Sequence, residues 1–396
     1  MKNRNILIIC YKRPYPILSG SEVRMFQFIK MLSEDNNVDI VFTSSQPEKD
    51  SGMVQGICRT AYIVKKSKNN VLGMLFGFLF GGLPLQVGQG YSRRMNHIIK
   101  EHAHEYDYII GSHIRTSQYL LNLNSNEFAN KLFFDSTDSI TLQSLNAYRV
   151  NHGWRKIAYY VEFKRLRKYE KKVFEEISKS SLISERDRNF IVESLGTKAN
   201  PQIITNYAID LGYKPDCKIV KDSLTFMGKM DYQPNRVAVL YFLQNIYPKL
   251  KEKKPSITFH VIGGNVPDDI LKYNGVNGIE IHGFVEDAAS FLQKSDIVIA
   301  PMRSGAGLQN KIVQAMLLGC TVITSDIGAD GLDHVTEKEI VIYTNDDDFI
   351  DKVIFFLDEK NVRIKTEIGN AARKYVMDKY GYEAVKEKLI NTIEGD

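Results

Sequence analysis

The chain has 396 residues, 43% of them hydrophobic and 25% charged, with a formal net charge of +5. That length supplies two domains of ordinary size, and the composition is that of a soluble globular protein rather than a disordered or membrane-embedded one. The mild basic excess suits anionic ligands or an acidic membrane surface and is too small to argue for nucleic acid.

The N-terminal "MKNRNILIICYKRPYP" has a five-residue apolar run before charges and prolines return. A secretory signal needs a longer apolar region, so the run reads as a first β-strand. A helical stretch from Ser21 to Leu32 follows, with Val23, Phe26, Ile29 and Leu32 stepping by three, and then the strand "VDIVFTS". "RTAYIVK" is strand-like. The apolar stretch 71–87, "VLGMLFGFLFGGLPLQV", is broken by four glycines and a proline. It falls short of the ~20 residues that span a bilayer, so no transmembrane segment is expected. A helix from about 92 to 104, the strands "YDYIIGS" and "NKLFFDS", a long basic helix over 154–176, and "PQIITNYAI" close the first half.

Residues 207–222 are polar, irregular and proline-containing and read as a linker between domains 1–206 and 223–380. Alternation restarts with "SLTFMGK", "SITFHVIGG", "IEIHGFV", "DIVIAP", "TVITS" and "EIVIYT", separated by helices. Residues 381–396 read as a closing helix that packs back towards the N-terminal domain. Short apolar strands alternating with helices predict an α/β protein with two Rossmann-like domains facing across a cleft. The four cysteines are scattered with no C-x-x-C pair, which argues against a zinc site or a disulfide framework and for a reducing cytoplasm. Neither half opens with a dinucleotide fingerprint, and no P-loop, H-E-x-x-H or G-x-S-x-G occurs. "NDDDF" (345–349) reads as an acidic helix cap rather than a metal–diphosphate pair.

The stretch 300–326, "APMRSGAGLQNKIVQAMLLGCTVITSD", carries the chemistry. A glycine turn at the end of a parallel strand, followed by a helix, lets main-chain N–H groups and the positive helix end approach an anion such as a phosphate. Gly307, Lys311 and Gln314 share one helical face, opposite Ile312, Val313, Met316 and Leu317. A lysine and an amide directed at such a turn make a diphosphate-and-ribose site. Spacing alone equally allows a solvated lysine and a space-filling amide.

The pieces "FMGKMDYQPNRVAV", "FHVIGG" and "IHGFVEDAASFLQKSDIVIAPMRSGAGLQNKIVQAMLLGCTVITSDIGADGL", in this order, resemble the GT-B glycosyltransferases of family 4. The bacterial polysaccharide and exopolysaccharide branch is the nearest pattern. The first half matches more loosely, through "YPILSGSEVRMFQFIKMLSE", "FDSTDS" and "LISERD". The resemblance implies the GT-B fold and retaining transfer of a sugar from a nucleotide-sugar donor to a saccharide or lipid-linked saccharide acceptor. It implies no metal and no cofactor beyond the donor itself, a UDP- or GDP-sugar. Residue by residue, it implies that Gly305, Ala306, Gly307 and Leu308 wrap the donor diphosphate, with Arg303 as a lesser member. Gly20 and Ser21 form the N-terminal glycine loop that faces the diphosphate. Lys229 and Lys311 supply charge as the diphosphate departs, Gln314 meets the ribose, and Gly283, Phe284 and Val285 meet the base. His113 stands where many members contact the transferred sugar.

Three departures accompany this resemblance. Ala306 and Gln314 replace the family's paired glutamates, Lys229 replaces an arginine, and Pro234 replaces a second lysine. An amide at 314 accepts from one ribose hydroxyl and must donate to the other, a change that should weaken donor binding by roughly 1–2 kcal/mol. Asp135 and Asp138 read as a strand end with a helix cap. The alternatives are a non-catalytic GT-B partner subunit, which Gln314 and the missing lysine allow and the retained Gly305, Gly307 and Lys311 argue against, and a nucleotide-sugar epimerase of the same architecture, whose acids and histidines find no counterpart here. A lipid-linked acceptor would place this cytoplasmic protein on the inner face of the plasma membrane as a peripheral protein. Residues 71–83 and the basic residues Lys164, Arg165, Arg167 and Lys168 would then meet the anionic surface.

Overall fold

The computed structural model describes residues 1–16, 20–66, 82–209, 212–305 and 307–395. Ala306, the Ser21 side chain and most of the apolar run 71–83 lie outside the described residues.

Strand β1 (Asn5–Cys10) is buried from Ile6 through Cys10, as a strand covered on both faces must be. It is the middle of a parallel sheet whose other members are β2 (Asn37–Ser44), β3 (Thr60–Lys65), β4 (Tyr108–Ser112), β5 (Leu132–Thr137), β6 (Lys179–Leu182) and β7 (Gln202–Ile203). The strand order is β3-β2-β1-β4-β5-β6-β7. The chain moves outward from β1 to β3 and then returns to the other side of β1 as β4. That reversal opens a crevice between the carboxyl ends of β1 and β4, where open parallel sheets bind ligands.

The second sheet repeats the plan with β8 (Val220–Met227), β9 (Thr258–Ile262), β10 (Ile279–Gly283), β11 (Ser295–Ala300), β12 (Val322–Ser325) and β13 (Val341–Tyr343). Its order is β10-β9-β8-β11-β12-β13, all pairs parallel, with the reversal between β8 and β11. Its core joins Leu224 and Phe226 of β8, Phe259 and Val261 of β9 and Ile297 and Ile299 of β11 to the apolar face of the helix Asn310–Leu317. The two α/β sheets are the Rossmann-like pair that the alternation predicts.

The chain divides into a first unit, Met1–Asn206 with Val385–Asp396, and a second, Tyr207–Ala384. Residues 207–222, read from sequence as a linker, are tied to the second unit. The Ala208 N–H donates to the Tyr380 carbonyl at 2.7 Å, the Lys214 N–H to Gln293 Oε1 at 2.5 Å, and the Arg373 guanidinium lies 4.1 Å from the Tyr213 ring. The later part of the closing helix Tyr382–Glu394 belongs to the first unit, where Lys386 pairs with Glu34 at 2.7 Å and Asp35 at 2.8 Å.

Candidate functional site

Between the end of β11 and the helix Asn310–Leu317 the chain makes the glycine turn. Gly305 has φ 128° and Gly307 φ 71°, both in the region that strains any residue with a Cβ. Among the described residues, the main-chain N–H groups of Gly305, Gly307 and Leu308 have no partner. Unpaired N–H groups ahead of a helix N-terminus form a cradle for an anion. The turn is backed by Gly331, where a Cβ would stand 2.3 Å from the Gly307 carbonyl carbon and from the Leu308 nitrogen. Only glycine fits there.

Lys311, in the first turn of that helix, is largely buried. Its Nζ donates to Asn235 Oδ1 at 2.5 Å and lies 3.4 Å from Gln309 Oε1, 3.3 Å from Met302 Sδ and 5.4 Å from the Phe226 ring centroid. Among the described residues no carboxylate pairs with it, and burial pushes its ammonium down to about 8. A desolvated cation without a counter-charge, beside a cradle of free N–H groups, is an arrangement that an incoming anion would complete.

Asn235, itself buried, holds the site together. Its Nδ2 donates to the Lys229 carbonyl at 2.8 Å, which joins the loop after β8 to the lysine of the other helix across the strand-order reversal. Sequence reasoning missed both Asn235 and Gly331. The signal for the first was the "PN" at the start of the helix Gln233–Tyr241, and for the second the "DGL" after β12.

The remaining predicted residues of the second unit fall in several places. Gln314 is half-buried on the helix of Lys311, and the Lys229 side chain is exposed. Gly283 ends β10 with φ 66°, Phe284 is 79% exposed and Val285 is half-buried, an open loop at the carboxyl edge of the sheet. Arg303 is engaged elsewhere. Its guanidinium lies 3.6 Å from the Tyr241 ring centroid and pairs with Asp346 at 3.3 Å, while the Tyr241 hydroxyl donates to Asp346 Oδ2 at 2.6 Å. In "NDDDF" the cap is Asn345, whose Oδ1 accepts from the N–H groups of Asp347 and Asp348, with the acids filling the first helical turn.

In the first unit, Gly20 starts the helix Gly20–Ser33 that follows β1, and His113 follows β4, so the two flank that sheet's reversal. His113 has φ 74°, unusual for a residue with a side chain and a form of strain that clusters at functional positions. Its Nδ1 accepts from the Arg115 N–H at 3.2 Å, which leaves the proton on Nε2, and its ring lies 4.6 Å from that of Tyr11. Burial, helped by the Arg115 charge, pushes its imidazolium down to about 3, so the ring is neutral at physiological pH. Asp135 is a structural group. Both its oxygens accept from the Arg24 guanidinium, at 2.6 and 2.8 Å, and Ser181 donates to it at 2.8 Å.

Residues 221–359 match the family described as Glycosyl transferases group 1. The chain is 21% identical to an uncharacterized 44.6 kDa protein in the cps region of Klebsiella pneumoniae, over 96% of this chain and 97% of that one. It is 26% identical to a phosphatidyl-myo-inositol mannosyltransferase of Mycolicibacterium smegmatis over 41% of this chain and 42% of that one. Among solved structures, the Anabaena protein HepE in complex with UDP superposes with a TM-score of 0.66 at 13% identity, each chain fully covered. A glycosyltransferase from Rickettsia africae superposes at 0.68 and 13%, covering 100% of this chain and 99% of that one. The fold is GT-B. Residues 221–359 thus resemble a group 1 glycosyltransferase domain, and the superpositions show the fold of the whole chain.

Proposed function

We propose that the protein is a retaining, metal-independent glycosyltransferase of the family 4 type, acting in the bacterial polysaccharide branch. It moves a sugar from a UDP- or GDP-sugar to a saccharide acceptor carried on a lipid. The observation that carries the proposal is the half-buried Lys311, without a carboxylate partner among the described residues, beside the N–H groups of Gly305, Gly307 and Leu308, which have no partner among them either. The departing diphosphate adds negative charge at that point, and preorganised donors there stabilise the transition state more than the ground state. A diphosphate oxygen can then take the proton of the incoming hydroxyl on the same face of the sugar, which retains configuration without a carboxylate pair. Gln314 is assigned to the ribose, Gly283–Val285 to the base, and Lys229 to the diphosphate as a mobile outer charge. The first unit is assigned the acceptor side, with His113 offering its Nε2–H to a sugar hydroxyl.

A lipid-linked acceptor makes the protein a peripheral one at an anionic membrane surface. The exposed apolar residues Val150, Trp154 and Ile157, at 73, 75 and 67%, stand at the joint of the helices Ile140–Val150 and Gly153–Glu176, among Arg149, Arg155 and Lys156. Aromatic and basic residues mixed in this way suit a headgroup layer. No helix among the described residues is long and apolar enough to cross a membrane.

The test is a thermal-shift panel of UDP-, GDP-, ADP- and TDP-sugars on the purified protein, followed by an assay of nucleotide release. One sugar nucleotide should raise Tm and be hydrolysed slowly without acceptor. A protein that binds none of them has another function, and one that binds without turnover is a partner subunit.

A further inference from the structure

His260 on β9 and Glu280 on β10 are register partners in the parallel pair, and His282 lies two residues beyond Glu280. The three side chains meet at the β10 edge of the sheet, where the β9–β10 register shifts between Ile281 and Gly283. Three atoms converge, one from each residue. His260 Nδ1 is 3.1 Å from His282 Nε2, and Glu280 Oε2 is 3.5 Å from each. We propose that His260, Glu280 and His282 bind a divalent transition-metal ion of the zinc class.

The triangle has the right size. Ligand atoms about 2.0–2.1 Å from a tetrahedral zinc stand about 3.3–3.4 Å from one another, against the observed 3.1, 3.5 and 3.5 Å. The donor set selects the metal class, because imidazole nitrogens suit zinc and its neighbours whereas calcium and magnesium take oxygen. His260 is oriented from behind: Thr258 Oγ1 is 3.2 Å from Nε2 and can accept its proton, which leaves the Nδ1 lone pair turned to the cluster. His282 is held by the Phe291 ring at 4.8 Å. A cavity of about 500 Å³ adjoins His260, with Val285, Glu286, Asp287, Phe291 and Lys294 also in its wall.

None of the three ligands is among the residues assigned to the donor, although Val285, assigned to the base, borders the cavity beside His260, and metal binding is read out without any nucleotide. Its physical effect is to cross-link the edge strand β10 to β9, which stabilises the folded protein logarithmically as free metal rises above Kd. Without an ion, the same atoms are an ordinary imidazole–imidazole hydrogen bond beside a carboxylate.

The experiment uses the full chain without a histidine tag, stripped with a chelator. Zn²⁺ is titrated by calorimetry and Co²⁺ by its visible absorption. Expected are stoichiometric Zn²⁺ binding, a raised Tm, and a Co²⁺ spectrum of tetrahedral intensity. Affinity should fall at least ~10-fold in His282→Gln and also in Glu280→Gln, whose side chain is half-exposed and whose change leaves the fold intact. No stoichiometric binding by the native chain, or binding unchanged in both variants, overturns the proposal.

Discussion

Lys311 Nζ donates to Asn235 Oδ1, and Asn235 Nδ2 donates to the Lys229 carbonyl, at 2.5 and 2.8 Å. One buried amide thus ties the Lys311 ammonium to the main chain of the loop after β8, far away in sequence. Asn235→Ala removes both bonds and leaves Lys311 without its nearest acceptor. It should cost about 1–3 kcal/mol of stability, as lost buried hydrogen bonds to a charge do, and weaken nucleotide binding about tenfold. Chemical denaturation and calorimetric titration with the nucleoside diphosphate check both; if neither moves, the amide does not organise the site.

Lys311→Met should lower transfer at least ~100-fold, the size of effect seen when one donor to a developing anion is lost. Stability should change little, because the bond lost at Asn235 is offset by removing a desolvated ammonium that has no carboxylate partner among the described residues. A steady-state assay on a variant with native circular dichroism decides, and near-normal turnover would remove Lys311 from the machinery.

Lys311 also predicts opposite pH effects on binding and stability. In the folded protein it loses its proton near 8, and in the unfolded chain near the ordinary 10.5. Between those values the unfolded chain binds the extra proton, so this residue makes folding more favourable as pH rises. Diphosphate affinity should instead weaken as pH rises through about 8, and binding above that point should take up a proton. Titrations in buffers of different ionisation heat measure the uptake, and Lys311→Met should abolish it.

Gly331→Ala should impair donor binding without touching the donor, because the new Cβ would stand 2.3 Å from the backbone of the phosphate turn. Overpacking of this kind costs about 1–3 kcal/mol. The readout is diphosphate affinity alongside Tm; native affinity would show that the turn adapts.

Gln314→Glu should tighten nucleotide-sugar binding by restoring an acceptor for both ribose hydroxyls. Unchanged or weaker affinity by calorimetry would place residue 314 away from the ribose.

The alternation of apolar runs and helices was enough to read two parallel sheets, because the inner strands such as β1, β5 and β11 are short, buried and flanked by helices. The glycine turn was legible for the same local reason: its positive-φ glycines and the helix after it are written in neighbouring residues. Asn235 with Lys311, 76 positions apart, and Gly331 against Gly307 were not. Their roles arise only when strands return beside one another, and nothing in local spacing records that. Arg303 shows the reverse case. Its place in the turn suggested a phosphate ligand, yet Tyr241 and Asp346 give its charge a stacking surface and a partner. The Glu280-x-His282 alternation was visible, but its third member sits on the neighbouring strand.

The first unit is discontinuous in sequence, since Val385–Asp396 rejoins Met1–Asn206 after the whole of the second unit. During synthesis, residues 1–206 therefore emerge from the ribosome and must wait for 178 more, Tyr207–Ala384, before their last helical segment arrives. Until then Glu34 and Asp35 lack Lys386, and Lys179 lacks the Ile393 carbonyl that it reaches at 2.7 Å. The second unit, continuous from Tyr207 to Ala384, can complete itself first. A nonsense codon shortly before Val385 would thus injure the half of the protein made earliest, and a nascent-chain protease assay would find the N-terminal sheet protected last.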